Sequence, residues 1–279
     1  MNDQIVRELV RQAIREDVGS GDVTTRLTVD PSLRCSVQMR AKSNGVLSGI
    51  AMFRACFDEV DAELGDWNAA ADSASFVSGE VVARFEANAG ATLTGERTAL
   101  NFVQHFSGIA SLTAQFVSAV AGLPVRILDT RKTLPLYRDL EKAAVVDGGG
   151  HNHRRGLYDA ILIKDNHIRA AGGIEQALRR AQAEKAAGMT VEIEVTSLLE
   201  CATALALGPD IIMLDNMSLD EMAEAVTLRD GKPIQFEASG NVSLATVRQV
   251  AETGVDIISV GALTHSAPAA DLSLEIEQL

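Results

Sequence analysis

The stretch "TVEIEVTSLLECATALALGPDIIMLDN" occupies residues 190–216, and its reading decides the fold. It begins with a short run rich in Val and Ile, about the length of a buried parallel strand. Ser197 and Glu200 follow at the spacing of a capping box and open the helical pattern SLLECATALALG. A second strand-like run, IIMLDN, comes next and ends on Asp215. Strand, helix, strand is the unit of a parallel α/β architecture.

The unit recurs on both sides. VRILDTRK, AILIKDNHI, TVEIEVTS, IIMLDN, IQFEASG and IISVGALTHS are apolar runs that each end in polar or charged residues. GGIEQALRRAQAEKAAG lies after the second run. SLDEMAEAVTLRDG lies after the fourth, with Ser218 and Glu221 spaced as another capping box, and SLATVRQVAETG lies after the fifth. Strand-helix units repeating about every 20 to 30 residues read as a (β/α) barrel.

In such barrels the chemistry gathers at the C-terminal ends of the strands. Those ends carry Asp129, Arg131 and Lys132, then Lys164 and Asp165, Glu192 and Glu194, Asp215, Glu237, and finally Ser259 and Gly261. Charged groups are seldom buried without a partner or a task. One such residue could be a salt bridge inside the barrel. Five of the six strand ends carry them, and together the six point to one reactive mouth.

The first hundred residues read differently. Ile5, Val6, Leu9, Val10, Ala13 and Ile14 share a helical face, and GSGD at 19–22 ends that helix. CSVQMRAKSNGVLSGI and GEVVARFEANAGATL are strand-like pieces broken by Gly and Asn. GERTALNFVQHFSGIASLTAQFVSAVAG returns to helix, with an interruption expected near Ser107-Gly108. We therefore expect an α+β domain over residues 1–106, a barrel over 107–266, and a tail, 267–279, packing back on the first domain.

Composition bounds the function. The chain has 279 residues, 47% of them apolar, and a formal charge of -13. That length suffices for a large core. No apolar run reaches the roughly 18 residues of a membrane span, and the charged start, MNDQIVRELVRQAIRED, lacks a signal-peptide core. Cys35, Cys56 and Cys201 form no CxxC pair, which suits a reducing cytoplasm. The acidity argues against a nucleic-acid partner. Yet from Arg126 to Arg169 nine Lys or Arg stand against six Asp or Glu. A basic island in an acidic body focuses small anions; the alternative is an exposed basic loop.

ERTALNFVQHFSGIA, DTRKTLP, GGGHNHRRGLYDAILIKDNHI, EIEV, IMLDNM, EASGN and ISVGALTHS occur in this order. Together, from about residue 95 to residue 266, they resemble the quinolinate phosphoribosyltransferase family. The resemblance implies an N-terminal α/β sandwich domain and an open (β/α) barrel. It implies a homodimer, or a higher assembly, with active sites between subunits. It implies quinolinate and phosphoribosyl diphosphate as substrates, with Mg²⁺ as cofactor, giving nicotinate mononucleotide, diphosphate and carbon dioxide in NAD synthesis. Where the family commonly has Gly after the proline of the DTRKT block, this chain has Leu136-Tyr137, so the neighbouring turn is expected to differ. Ala143 and Ala144 stand where an aromatic is common.

A pyridine dicarboxylate needs several cationic donors, and arginine offers a fork that matches a carboxylate. By residue type and by the resemblance, Arg131, His153, Arg154 and Lys164 are the candidates, with Arg97 reaching in from the partner subunit. Lys132 is the candidate for neutralising the departing diphosphate, beside Thr130, and Lys164 borders both substrates. Glu194 and Asp215 are candidates for Mg²⁺, held through water, and for ribose hydroxyls. The 5′-phosphate is expected on Ser239, Gly240 and Asn241 and on Val260, Gly261 and Ala262.

Other readings exist for single features. His151 and His153 could form a zinc pair on an extended segment. His167 is expected to orient the loop after its strand. Gly148-Gly149-Gly150 reads as a flexible connection or a phosphate cradle. Lys164 could form a Schiff base as in barrel aldolases, and a ligand-binding sensor on the same fold, or a relative using another aromatic acid, would share the outline.

Overall fold

The computed structural model describes residues 3–279. The chain divides into two compact units. One contains residues up to Ala114 together with Asp139–Gly149 and Ala267–Leu279; the other contains Gln115–Arg138 and Gly150–Ser266. The division therefore falls eight residues beyond the expected 106/107 boundary, and an excursion from the barrel sequence belongs to the first unit.

In the first unit, α1 (Asp3–Val18) buries Val6, Val10 and Ile14, a stripe at i, i+4, i+8, and packs on α3 (Ile50–Glu59). Ile5, expected on that stripe, is exposed, because the buried face is narrower than six residues. The short α2 (Val23–Thr28) starts at Asp22, whose carboxylate accepts the Thr25 N–H. The strands β1 (Arg34–Ala41), β3 (Gly65–Ala69) and β5 (Val81–Asn88) form an antiparallel sheet in the order β1-β5-β3, while β2 (Gly45–Val46) pairs with β4 (Ser75–Phe76). β1 alternates strictly, burying Cys35, Val37, Met39 and Ala41. From α3, Phe53 and Phe57 meet Phe85 of β5, the Phe57–Phe85 ring centroids lying 5.1 Å apart. Helices on one face of an antiparallel sheet make the α/β sandwich.

The helix α4 (Ala89–Ala119) corrects two expectations. It begins at Ala89, so GATL is helical, and it runs unbroken through Ser107-Gly108. These residues answer to packing rather than to helix breaking. Ser107 Oγ accepts the Ser48 N–H at 3.0 Å, and a Cβ on Gly108 would overlap the backbone of Pro268. The helix α5 (Arg138–Asp147) ends in the glycine run, where Gly148 N–H donates to Ala144 and a Cβ would overlap Ala110. Gly148 is thus a close-packing residue, neither a flexible link nor a phosphate cradle.

The second unit is a six-stranded parallel sheet formed by β6 (Arg126–Leu128), β7 (Ile161–Ile163), β8 (Val191–Val195), β9 (Ile211–Asp215), β10 (Gln235–Ser239) and β11 (Ile257–Ser259). Their order is β6-β11-β10-β9-β8-β7, with every pairing parallel. All six apolar runs of the sequence are strands. Among the described residues β6 and β7 do not pair with each other, so the barrel is open; a single parallel bridge joins Leu128 to His151 at the β6 edge. Between β7 and β8 the chain makes two helices rather than one, α6 (Asp165–Ala171) and α7 (Ile174–Glu184), because Gly172 and Gly173 adopt φ of 94° and 136°. α8 (Leu198–Leu207) and α9 (Leu219–Leu228) begin at Ser197 and Ser218. The capping box is complete at Ser218/Glu221, whereas Glu200 reaches back one residue further, to the Thr196 N–H. α10 (Val247–Glu252) and α11 (Ala262–His265) complete the unit. The tail then forms β12 (Leu272–Gln278), antiparallel to β1 in the first unit's sheet. Among the described residues no helix is long and apolar enough to cross a membrane.

Candidate active site

The period-2 alternation of the barrel strands decides which side chains face inward. Glu192 and Glu194 share the inner face of β8, Met213 and Asp215 that of β9, and Glu237 and Ser239 that of β10. The register sets Met213 beside both Glu194 and Glu237, and Asp215 beside Ser239. A cavity of about 580 Å³ opens over these residues. Around it stand Thr130, Arg131 and Lys132 after β6, His153 and Arg154 after the bridge, and Lys164 after β7.

The cations are crowded. Burial, and then the neighbouring Arg131, lower the pKa of Arg154. One Arg154 Nη donates to the Ala160 carbonyl at 3.1 Å, but its Nε and that of Arg131 are buried without an acceptor. Two guanidinium groups with orphaned donors in one cavity fit an anionic ligand. Lys164 Nζ lies 2.7 Å from Glu194 Oε2, and His167 Nδ1 accepts the Lys164 backbone N–H at 3.0 Å. His167 thus orients the strand end, as expected. Lys132 is exposed, its backbone carbonyl held by Thr264 Oγ1 at 2.8 Å and its N–H by Thr130 Oγ1 at 3.0 Å.

His153 turns down, away from the mouth. Its Nε2 lies 3.1 Å from Glu192 Oε2 and 3.6 Å from Glu237 Oε2. Its backbone N–H donates to Asp129 Oδ1 at 2.8 Å, which makes the fully buried Asp129 an anchor for this segment rather than a mouth residue. Nδ1 accepts the Arg154 N–H at 2.7 Å. The neutral ring therefore carries its proton on Nε2 and donates it to Glu192. This tautomer leaves no lone pair facing the carboxylates, so His153, Glu192 and Glu237, though gathered within 4.8 Å, are a poor metal site. The zinc pair considered for His151 and His153 is not gathered: among the described residues the ligand-type groups near His153 are Glu192 and Glu237, not His151.

Near Asp215 the backbone is tightly specified. Asn216 N–H donates to the Ser239 carbonyl at 2.9 Å, and Asn241 Nδ2 donates to Asn216 Oδ1 at 3.0 Å. Gly240 has φ of 98°, and a Cβ there would overlap the Asn216 amide. Ser239, Gly240 and Asn241 line the cavity; Val260, Gly261 and Ala262 do not. Val260 is core, and Gly261 packs behind the Lys132 stem, where a Cβ would come 3.0 Å from Cδ. Arg97 sits exposed on α4, in the first unit. Sequence reading passed over Leu162, Met213 and Asn216 as lining residues, and it placed Glu237 and Ser259 at the mouth without giving them a role. The strand-end signal was present for Glu237 and Ser259, but nothing in the sequence separates the floor of the cavity from its rim.

The comparisons with known proteins agree along the whole chain. The family model described as quinolinate phosphoribosyl transferase, N-terminal domain, matches residues 22–107, and its C-terminal counterpart matches residues 109–275. The chain is 43% identical over 274 residues to a probable nicotinate-nucleotide pyrophosphorylase (carboxylating) of Synechocystis, covering 98% of this chain and 92% of that one. It is 37% identical over 276 residues to the protein of the same name in Bacillus subtilis, covering 99% and 95%. Among solved structures, NadC from Streptococcus pyogenes superposes with a TM-score of 0.94 at 40% identity, covering 100% of this chain and 99% of that one.

Proposed function

The chain belongs to the quinolinate phosphoribosyltransferase family, and from that premise we propose that it transfers the phosphoribosyl group of phosphoribosyl diphosphate to quinolinate, with loss of carbon dioxide. The observation that carries the reading is the cavity's pairing of Arg131 and Arg154, each with an orphaned Nε–H, with Lys132 and Lys164 in a chain of formal charge -13. Such a site suits two adjacent carboxylates and a diphosphate.

The chemistry asks mostly for positioning. The pyridine nitrogen attacks the ribose C1 as diphosphate departs, the resulting ring cation stabilises the electron pair left at C2 when carbon dioxide leaves, and that pair takes a proton from solvent to form the C2–H bond of the product. Arg131, Arg154 and Lys164 hold the carboxylates, and Lys132 meets the diphosphate. Holding two anions in line can supply roughly 7 to 11 kcal/mol. Ser239, Gly240 and Asn241 offer donors to the 5′-phosphate. Glu194 and Asp215, carboxylates at adjacent strand ends, are an all-oxygen set of the kind Mg²⁺ takes through its waters, and they also suit ribose hydroxyls. Bound Mg²⁺ would supply screening of the phosphate charges.

We further propose a homodimer in which Arg97 serves the neighbouring subunit's cavity. The buried, free state of Cys35, Cys56 and Cys201 supports a reducing, cytoplasmic setting. A diphosphate-release assay tests the main reading. Release should require quinolinate and phosphoribosyl diphosphate together, and release with quinolinate absent or replaced by nicotinate at equal rate would overturn it.

A further inference from the structure

The floor of the cavity holds a carboxyl group that the reaction outlined above does not use. Glu237 is fully buried on β10, it lines the cavity, and neither of its oxygens has a hydrogen-bond partner. The groups that face it are Glu192 from β8, His153, the Ser259 hydroxyl from β11 and, further off, Lys164; Arg131, Lys132, Arg154, Glu194 and Asp215 complete the charges of the cavity. His153 is shared between the two carboxylates: its Nδ1 accepts the Arg154 N–H, and its Nε2 lies nearer Glu192 Oε2, at 3.1 Å, than Glu237 Oε2, at 3.6 Å, so it offsets only part of a charge on Glu237. Ser259 Oγ is buried without a completed hydrogen bond. An ionised Glu237 would thus be a second buried anion beside Glu192, with no hydrogen bond completed to either oxygen and only a shared histidine and a more distant lysine to offset it.

We propose that Glu237 is carried as a neutral carboxylic acid, and that its neutrality allows the cavity floor to accept a dianionic substrate. The second half rests on the reading of quinolinate as substrate; the first half does not. Glu237 is here a specificity-determining residue beneath the substrate. Burial, and then the proximity of Glu192, push its pKa up to about 8, in keeping with a proton retained at neutral pH. An anion bound above the group would hold that proton more firmly, so by linkage quinolinate must bind less well once the proton is lost.

Two measurements on the whole protein decide the matter. Infrared spectra of ligand-free enzyme labelled with ¹³C-glutamate should show a protonated-carboxyl band at neutral pH that Glu237→Gln abolishes. Glu192→Gln should move the loss of that band to lower pH, which keeps the test available if Glu237→Gln does not fold. Equilibrium binding of quinolinate should be level up to about pH 8 and then weaken toward about tenfold per pH unit. In Glu237→Gln that alkaline fall should disappear. A band that Glu237→Gln leaves unchanged would overturn the neutral acid, and parallel pH profiles in the two proteins would overturn its role in substrate choice. Failure of quinolinate to bind at any pH would sink the substrate reading together with that role, while the infrared result would still stand for the state of Glu237.

Discussion

Lys164 Nζ and Glu194 Oε2 stand 2.7 Å apart, joining the C-terminal ends of β7 and β8 across the rim of the cavity. The lysine side chain is 47% exposed and the glutamate side chain 10%. A half-exposed pair of this kind is worth roughly 1 kcal/mol or less, so an incoming carboxylate or phosphate can take the lysine over. Glu194 of this pair and Asp215 on the neighbouring strand are the acidic residues of the rim. Those two would repel a dicarboxylate if they touched it. Glu194→Ala or Asp215→Ala should therefore impair use of phosphoribosyl diphosphate and leave equilibrium binding of quinolinate within a few-fold of wild type. A folded variant that loses quinolinate binding would show that the two halves of the site have been interchanged.

Selectivity should follow from charge. Nicotinate lacks one carboxylate and would leave part of the Arg131, Arg154 and Lys164 set unpaired. An uncompensated buried charge costs about 3 kcal/mol or more, which is about a hundredfold in kcat/KM. Steady-state kinetics with both acids at saturating phosphoribosyl diphosphate should show at least that preference for quinolinate. Comparable kcat/KM values would refute the dicarboxylate pocket.

Glu237 also makes a prediction about stability. Its pKa is raised in the folded protein to about 8 from an ordinary value of 4.5. The native state then holds a proton that the unfolded chain releases, so the contribution of this group is fully present below the unfolded value and is lost as pH rises through that window. Glu237→Gln cannot ionise. Its thermal midpoint relative to wild type should rise between about pH 5 and pH 8. A Tm difference that is flat or falling over that range would place the proton elsewhere.

The sequence made the barrel legible because each buried strand is an apolar run bounded by polar or charged residues, as in IIMLD. It made the rim legible for Lys132, Lys164, Glu194 and Asp215. The floor was harder to see. Glu192 and Glu194 lie on the same face of β8, and two positions along the strand, a rise of about 3.3 Å per residue, put one beneath the cavity and the other at its edge. Asp129 likewise reads as a strand-end charge, yet it is a buried anchor, because its partner, the His153 N–H, is supplied from 24 residues away. Gly108 and Gly148 were misread for a related reason. Their small size answers to close approach by distant backbone, which local pattern does not encode.

Leu136, where the sequence departs from its family, adopts φ of 69° and is 79% exposed. A side chain in the left-handed region costs about 1–2 kcal/mol, which glycine avoids. Glycine also gives the unfolded chain more freedom, which offsets about 0.4–1 kcal/mol. Leu136→Gly should therefore stabilise the protein by up to about 1 kcal/mol in urea unfolding. A loss of stability would mean that the exposed leucine makes a contact stronger than this strain.

Arg97 offers the most direct test of shared sites. Its exposed place on α4 is compatible with an ordinary surface charge, and the proposal of a neighbouring cavity rests on the resemblance of the ERTALNF block. Arg97→Ala subunits should be inactive for want of the incoming guanidinium, and Lys164→Ala subunits for want of the cavity lysine. In a mixed dimer, one site would receive Lys164 from one chain and Arg97 from the other and so be whole, while the second site would lack both. Random exchange would make about half the dimers mixed, each with one working site, so activity should recover to about a quarter of wild type by symmetry counting. Native mass spectrometry can verify that exchange took place. Without recovery in a verified mixture, Arg97 would serve its own chain or none, and the proposed sharing would fall while the cavity chemistry stood.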